Sequence, residues 1–347
     1  MKILTSTITL IIFSGCTAIS QSNTNSFMGL DWSINTRFVL HGCPGKDCIP
    51  SLEKPSRSPS DGHDIDFLGD DELVVGVWNG VGWTAYPHSV LDWHEIINED
   101  GYTISYCPLT GSALNLETEN EFGVSGLLFN SNLIMYDRQT DSYWPQMRLQ
   151  SAAGELKGKE MSLQPLLETT WSNWKKLFPN TKVINSQTGH SRNYDFYPYG
   201  RYRTCNSTFC KDYIFFPIAY TDDRLKAKDR VLAIIGEDGS TKAFHINQFK
   251  KPVIIQGDLD GQHFNVVLSG NDNIAIAFYT HENLYIETWD IEHGNITLTS
   301  QTTGIKYDIL GNPKNDKGNK LSAGNGFIAY WFSVAANYPE VELYKQL

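Results

Sequence analysis

Basic residues are in short supply in this chain of 347 residues: 28 lysines and arginines face 39 aspartates and glutamates, for a formal charge of −11. A field of that sign repels phosphate backbones and argues against nucleic acid as a partner. Long apolar runs are missing beyond the first residues, so no later segment is expected to span a bilayer, and the folded part is expected to be soluble. Ready-made catalytic signatures are missing too. Gly123-Val124-Ser125-Gly126 is no nucleophile elbow, because its second glycine comes one residue early. Asp61-Gly62-His63-Asp64-Ile65-Asp66 lacks the calcium-loop pattern and reads as a solvated turn. Cysteine is sparse, at six residues, and the pairing leaves Cys107 over. A lone thiol in an exported protein must be shielded or useful.

Export is the expectation from the first residues. Lys2 gives a minimal positive start, residues 3–13 are mostly apolar and too short to span a bilayer, and Phe13-Ser14-Gly15-Cys16 resembles a bacterial lipobox. Residues 1–16 therefore read as a lipoprotein signal, with Cys16 as the lipidation site and the lipid bilayer as the partner it reaches. Ordinary secretion and no processing are the alternatives. Thr17, rather than Asp, follows the cysteine, which in a diderm bacterium resembles an outer-membrane destination on the periplasmic side. Residues 17–30, with the polar run 20–26, read as a flexible tether.

Cys43 and Cys48 share the spacing C-x4-C with Cys205 and Cys210. In an oxidising compartment, disulfides Cys43–Cys48 and Cys205–Cys210 are expected, each worth roughly 2 kcal/mol by loop closure. A four-cysteine zinc site and cross-pairing are the rivals.

Further along, residues 73–78 and 83–86 read as strands joined by an Asn79-Gly80 hairpin turn. Pro87 ends the second strand. Ser89 with Asp92 fits a capping box, which predicts a helix running to about Asn98 with His94 turned inward among apolar residues. Residues 102–106 form the next strand, with Cys107 at its end. Residues 122–126 and 132–137 continue the β pattern. A helix is expected over 170–178, with Trp171, Trp174, Leu177 and Phe178 on one face and Pro179 as its stop. Residues after about 213 are again strand-rich. Seven of the nine tryptophans precede residue 190, placing the larger core there.

The fold class read from this pattern is α+β and β-rich, with a larger lobe over 31–215 and a smaller strand-rich lobe over 216–347. A faint echo links them. Val75-Gly76-Val77 and Thr84-Ala85-Tyr86 resemble Ala233-Ile234-Ile235 and Lys242-Ala243-Phe244, at an offset of about 160 residues. The echo is read either as a degenerate internal repeat or as chance likeness among strands.

The sharpest chemical lead is Tyr106-Cys107-Pro108-Leu109-Thr110-Gly111, shortly after Trp93-His94-Glu95. Cys107 has four readings: an inert core thiol, a nucleophile with His94 as base and Asp137 as orienting carboxylate, a metal ligand with His94 or His41, or a haem thiolate. No cofactor is firmly implied. Ser125, Asn130, Ser131, Arg138, Gln139, Ser142, Trp144 and Gln146 are dense in polar groups that either line a pocket or satisfy turns.

These pieces, with Val75-Gly76-Val77, Phe122-Gly123-Val124-Ser125-Gly126, Asn130-Ser131, Met135-Tyr136-Asp137-Arg138-Gln139-Thr140, Thr170-Trp171, Arg192-Asn193-Tyr194, Pro198-Tyr199-Gly200 and Asp223-Arg224-Leu225, resemble the domain-of-unknown-function family number 3179 across roughly residues 40–330. The resemblance implies an exported or envelope setting and no established activity. Many relatives carry a second cysteine where Thr110 stands, so a dithiol mechanism is not expected here. Two functions stay open: a thiol-dependent envelope enzyme using Cys107 and His94, or a lipid-anchored module that holds a small-molecule ligand or metal ion without turnover. The sequence leaves any protein partner unknown.

Overall fold

Three short strands, β1 (Val39–His41), β2 (Leu52–Glu53) and β3 (Arg57–Pro59), lead into the first large sheet. The computed structural model describes residues 29–203, 207–315 and 318–345. The expected signal, Cys16, most of the tether and Cys205 lie outside the described residues. No helix among those described is long and apolar enough to cross a membrane.

Strands β4 (Leu73–Trp78) and β5 (Trp83–Pro87) pair antiparallel from Val74↔Pro87 to Trp78↔Trp83. Asn79 closes their hairpin as expected, its side-chain oxygen accepting from the amides of Val81 and Gly82 while Gly80 takes φ 87°. The helix α1 (His88–His94) follows at once. It differs from the expected one at both ends. Its N-cap is Pro87, which offers no side-chain hydrogen bond, so Ser89 and Asp92 are interior residues rather than a capping box. It stops three or four residues early because Glu95 turns to φ 58°, and the branched pair Ile96-Ile97 then opens strand β6 (Ile96–Glu99) instead.

The first half continues with β7 (Tyr102–Cys107), β8 (Ser112–Glu117), β9 (Phe122–Phe129), β10 (Asn132–Asp137), β11 (Tyr143–Pro145), β12 (Ser162–Leu163), β13 (Leu167–Thr170), the helix α2 (Trp171–Leu177) and β14 (Lys182–Ile184). Thr170 caps α2 through the amide of Asn173, and Trp171, Trp174 and Leu177 are buried, as expected of that face. A short helix, α3 (Thr208–Asp212), lies in the connection. The second half then runs β15 (Arg230–Ile235), β16 (Thr241–His245), β17 (Val253–Leu259), β18 (Gln262–Ser269), β19 (Ile274–Tyr279), β20 (Leu284–Asp290), β21 (Asn295–Ser300), β22 (Lys306–Tyr307), β23 (Ser322–Ala323), β24 (Gly326–Tyr330), α4 (Trp331–Asn337) and β25 (Glu342–Leu343).

The two halves repeat one topology. The first contains sheets β13-β4-β5-β14, β12-β8-β7-β6 and β9-β10-β11; the second contains β24-β15-β16-β25, β23-β19-β18-β17 and β20-β21-β22. Each sheet of the first copy gains one lead-in strand at its edge: β3, β2 and β1 respectively. The registers agree in detail. Parallel pairing joins Lys182 to Thr84 and Val183 to Ala85 in one copy, and Glu342 to Lys242 and Leu343 to Ala243 in the other. Thr84-Ala85 and Lys242-Ala243 therefore occupy equivalent places, as the sequence echo pairs them. In both copies the edge strand runs directly into a helix whose first residue is a buried tryptophan, Trp171 or Trp331.

The copies grip each other. The β7–β8 hairpin of the first accepts the Tyr330 amide at the Thr110 carbonyl, 2.8 Å being exceeded by neither this contact (2.7 Å) nor its counterpart, in which Thr169 Oγ1 donates to the Asp272 carbonyl at 2.7 Å. β24 packs on β8, and β13 packs on β19. The apolar clusters are shared accordingly: Val74, Trp171 and Trp174 pack with Val267 and Phe278, while Cys107 and Leu114 pack with Val231 and Trp331. Residues Trp32–Leu347 form one compact unit around these cores.

Candidate functional site

Strand geometry decides where the hexapeptide points. Successive side chains on β7 face opposite sides of the sheet, so Tyr106 and Cys107 part company. Cys107 enters an apolar cluster with Leu109, Leu133 and Trp331, is 1% exposed, and reaches the Ser131 carbonyl at 3.9 Å. Burial, with the Glu95 charge behind it, pushes the thiol up to about 11. His94, the last residue of α1, is fully buried. Its Nδ1 lies 2.8 Å from the Pro50 carbonyl and its Nε2 2.8 Å from the Tyr194 hydroxyl. Burial holds it down at about 4. Both ring nitrogens are thus committed, and neither takes a proton from Cys107. Asp137 is committed as well: its carboxylate accepts from the Thr140 amide at 2.7 Å, the Thr140 hydroxyl, and Trp144 Nε1 at 2.9 Å. The expected Cys107–His94–Asp137 triad is therefore not assembled.

The polar residues expected near it make hydrogen bonds that stitch the chain. Ser125 donates to the Ile134 carbonyl and accepts from the Leu127 amide at a register shift in β10. Asn130 bridges the Ala336 carbonyl and the Ala219 amide, and Ser131 donates to Phe216. Gln146 binds Ser105, Ser112 and Asn132 in a buried network. Ser142 accepts from the Leu156 amide, and Gln139 from that of Glu121. Arg138 forks onto both Asp47 oxygens at 2.9 Å. Asp47 itself lies in the loop closed by the Cys43–Cys48 disulfide, which forms as expected. His41 is exposed on β1, and among the described residues no three His, Cys, Asp or Glu side chains converge to hold a metal.

Tyr106 and Gly111, the two ends of the same hexapeptide, face a cavity of roughly 490 Å³ between the two copies. Gly111 sits at φ 59° with the Tyr330 ring 3.0 Å from where a Cβ would stand, so the hairpin needs glycine there. The first copy contributes His88 from the start of α1 and Glu168 from β13; the second contributes Arg230 from β15, Asn273, and Tyr330 from β24. The connection adds Arg203, Lys211, Lys226 and Lys228. Five cations and three carboxylates (Asp71, Glu168, Asp229) line this wall, an excess of positive charge in a strongly acidic chain.

Its charges are unevenly paired. Arg230 bonds Glu168 Oε1, and its Nη1 donates to Asn273 at 3.3 Å. Arg203 forks onto Asp92 at 3.0 and 2.8 Å and reaches the Tyr106 hydroxyl at 3.3 Å. Lys228 has carbonyl partners, Tyr202 at 2.7 Å and Cys210 at 2.9 Å, and lies 3.4 Å from the centre of the Tyr202 ring. Burial brings it down to about 8. His88 is brought down to about 3, by burial first and then by the Arg203 charge, so it is neutral at pH 7. Its Nε2 lies 3.3 Å from Glu168 Oε2, but out of line for a hydrogen bond, and both atoms are buried without a hydrogen-bond partner. The larger hollow next door, roughly 630 Å³, is lined by Asp222, Asp223, Arg224 and Ile218 and holds no such unpartnered buried atom among the described residues.

The cavity borders the hexapeptide and the helix that the sequence singles out, through Tyr106, Gly111 and His88 rather than through Cys107 and His94. His88 precedes His94 by six residues, which at about 100° per residue puts it on a different face of α1. Glu168, Arg203 and Arg230 carry no local signature; only the fold brings them together. The alternation of β7 was the usable signal, since it forbids Tyr106 and Cys107 from serving the same site.

No curated protein and no solved structure matches the chain. Residues 46–341 match the family model described as Protein of unknown function (DUF3179), and the chain belongs to that family.

Proposed function

We propose that the chain is an exported binding protein for a small organic anion, taken into the cavity between its two copies. The observation that carries this reading is the cationic wall of Arg203, Lys211, Lys226, Lys228 and Arg230 in a chain whose net charge is −11. Lys228 in particular is half-buried and held by carbonyls, so its charge is available to an incoming anion. A volume of roughly 490 Å³ is that of a small-molecule site, far larger than one inorganic oxyanion needs. The rings of Tyr106, Tyr202 and Tyr330 supply surface for an organic body. The signal-like start and Cys16 support an envelope setting with a lipid anchor. The thiol-dependent reading loses its support, because Cys107 is shielded and His94 is engaged elsewhere.

Calorimetric titration with citrate and ethanedisulfonate tests the reading. Binding that weakens with added salt, and at least tenfold on Lys228→Glu, is the expected result. No heat from either anion, or indifference to Lys228→Glu, overturns it. The anchor is tested separately: Cys16→Ala should move the protein from the membrane fraction to the soluble fraction.

A further inference from the structure

We propose that the anion is a hydroxylated one, a hydroxy acid or sugar acid, and that one of its hydroxyls bridges His88 Nε2 and Glu168 Oε2. This rests on the anion-binding reading of the cavity and names the ligand class. His88 and Glu168 are 5% and 1% exposed, both line the cavity, and these two atoms are buried without hydrogen-bond partners. They lie 3.3 Å apart, close enough for one oxygen to address both. A buried polar atom left without a partner is costly, so a ligand that satisfies two at once is strongly favoured.

The chemistry of the pair selects the group. Glu168 Oε2 is an acceptor and requires a donor. A carboxylate or phosphate oxygen has only lone pairs to offer and would be repelled. An ammonium could donate, but Arg203, Arg230 and Lys228 oppose a cation there. A hydroxyl donates to Glu168 Oε2 and accepts from an Nε2–H tautomer of the neutral His88, and it adds no charge. Arg230 already holds the other Glu168 oxygen, and Tyr106 packs on the His88 ring with centroids 4.5 Å apart, so both partners are fixed before the ligand arrives. The anionic group of the same ligand is then left for the lysines.

Matched ligands that differ in hydroxyls test this on the whole folded chain: malate against succinate, and gluconate against hexanoate, each titrated calorimetrically into the wild type and His88→Phe. The ring of phenylalanine keeps the packing on Tyr106, and circular dichroism checks the fold. The wild type should prefer malate and gluconate at least tenfold, and His88→Phe should reduce that preference to less than threefold. Equal affinity within each pair, or a preference unchanged in His88→Phe, overturns the hydroxyl bridge while leaving anion binding intact. No binding of any of the four overturns both.

Discussion

Removing the guanidinium of Arg230 should expose how the cavity wall is balanced. Glu168 is 1% exposed and its carboxylate has one strong partner, Arg230 on Oε1; the second oxygen has none. Arg230→Met preserves the aliphatic stem and leaves a buried carboxylate with no hydrogen bond. Breaking a buried pair by deleting one member costs about 3–5 kcal/mol. The Arg230 side chain is itself one-fifth exposed, so the lower bound is the expected value here. With a urea slope near 3 kcal/mol per molar, that moves the unfolding midpoint down by about 1 M. Glu168→Gln should cost less, because the amide oxygen still accepts from the guanidinium and the charge left unpaired is on Arg230, which is one-fifth exposed to water. The double variant Glu168→Gln/Arg230→Met should recover more than half of the loss, a coupling of about 2 kcal/mol read from the four midpoints. A loss below about 1 kcal/mol in Arg230→Met, or strictly additive costs in the double variant, would refute the reasoning that this pair is buried and mutually dependent.

Cys107 should not react with a thiol-specific disulfide reagent in the folded protein at pH 8, since burial pushes it up to about 11 and shields it; in Cys16→Ala one thiol should appear on unfolding under non-reducing conditions, and rapid native labelling of Cys107 contradicts the assignment. His88, held near 3 when folded against an unfolded value near 6.5, contributes stability that is present above pH 6.5 and lost as the pH falls towards 3. Between pH 6.5 and 5 this residue should account for about 2 kcal/mol of lost stability, so the wild type and His88→Phe should diverge by that amount in urea melts over that window; parallel profiles refute it. Gly76→Ala should destabilise by about 3 kcal/mol, because a Cβ there would stand 2.1 Å from the Trp174 ring; a variant as stable as the wild type would mean the helix α2 yields more readily than its packing implies.

Local patterns were legible where local physics settles them. The Asn79-Gly80 hairpin, the Thr170–Trp171 start of α2 and the pairing of Thr84-Ala85 with Lys242-Ala243 all follow from turn chemistry, capping and strand spacing. The end of α1 was not legible, because a single glutamate in the left-handed region terminates it where no glycine or proline announces a stop. The candidate site was half legible. Tyr106-Cys107-Pro108-Leu109-Thr110-Gly111 does border a cavity, yet a reactive-looking thiol drew attention to the face of β7 that is packed away. Glu168 and Arg230 stand 62 positions apart and meet only because β13 and β15 come from different copies that are pressed together. No periodicity or spacing encodes such a meeting.

The reciprocal hairpin contacts bear on how a guest molecule gets in. Many two-lobed receptors open like a clamshell about a hinge, but here Thr110 holds Tyr330 while Thr169 holds Asp272, one latch running in each direction. Swinging the halves apart would break both latches and tear open the shared apolar interior. The connection between the copies supplies four of the five cations that line the cavity, Arg203, Lys211, Lys226 and Lys228, and neither latch involves it. A ligand that enters without parting the halves would meet these four charges on a segment that neither latch restrains.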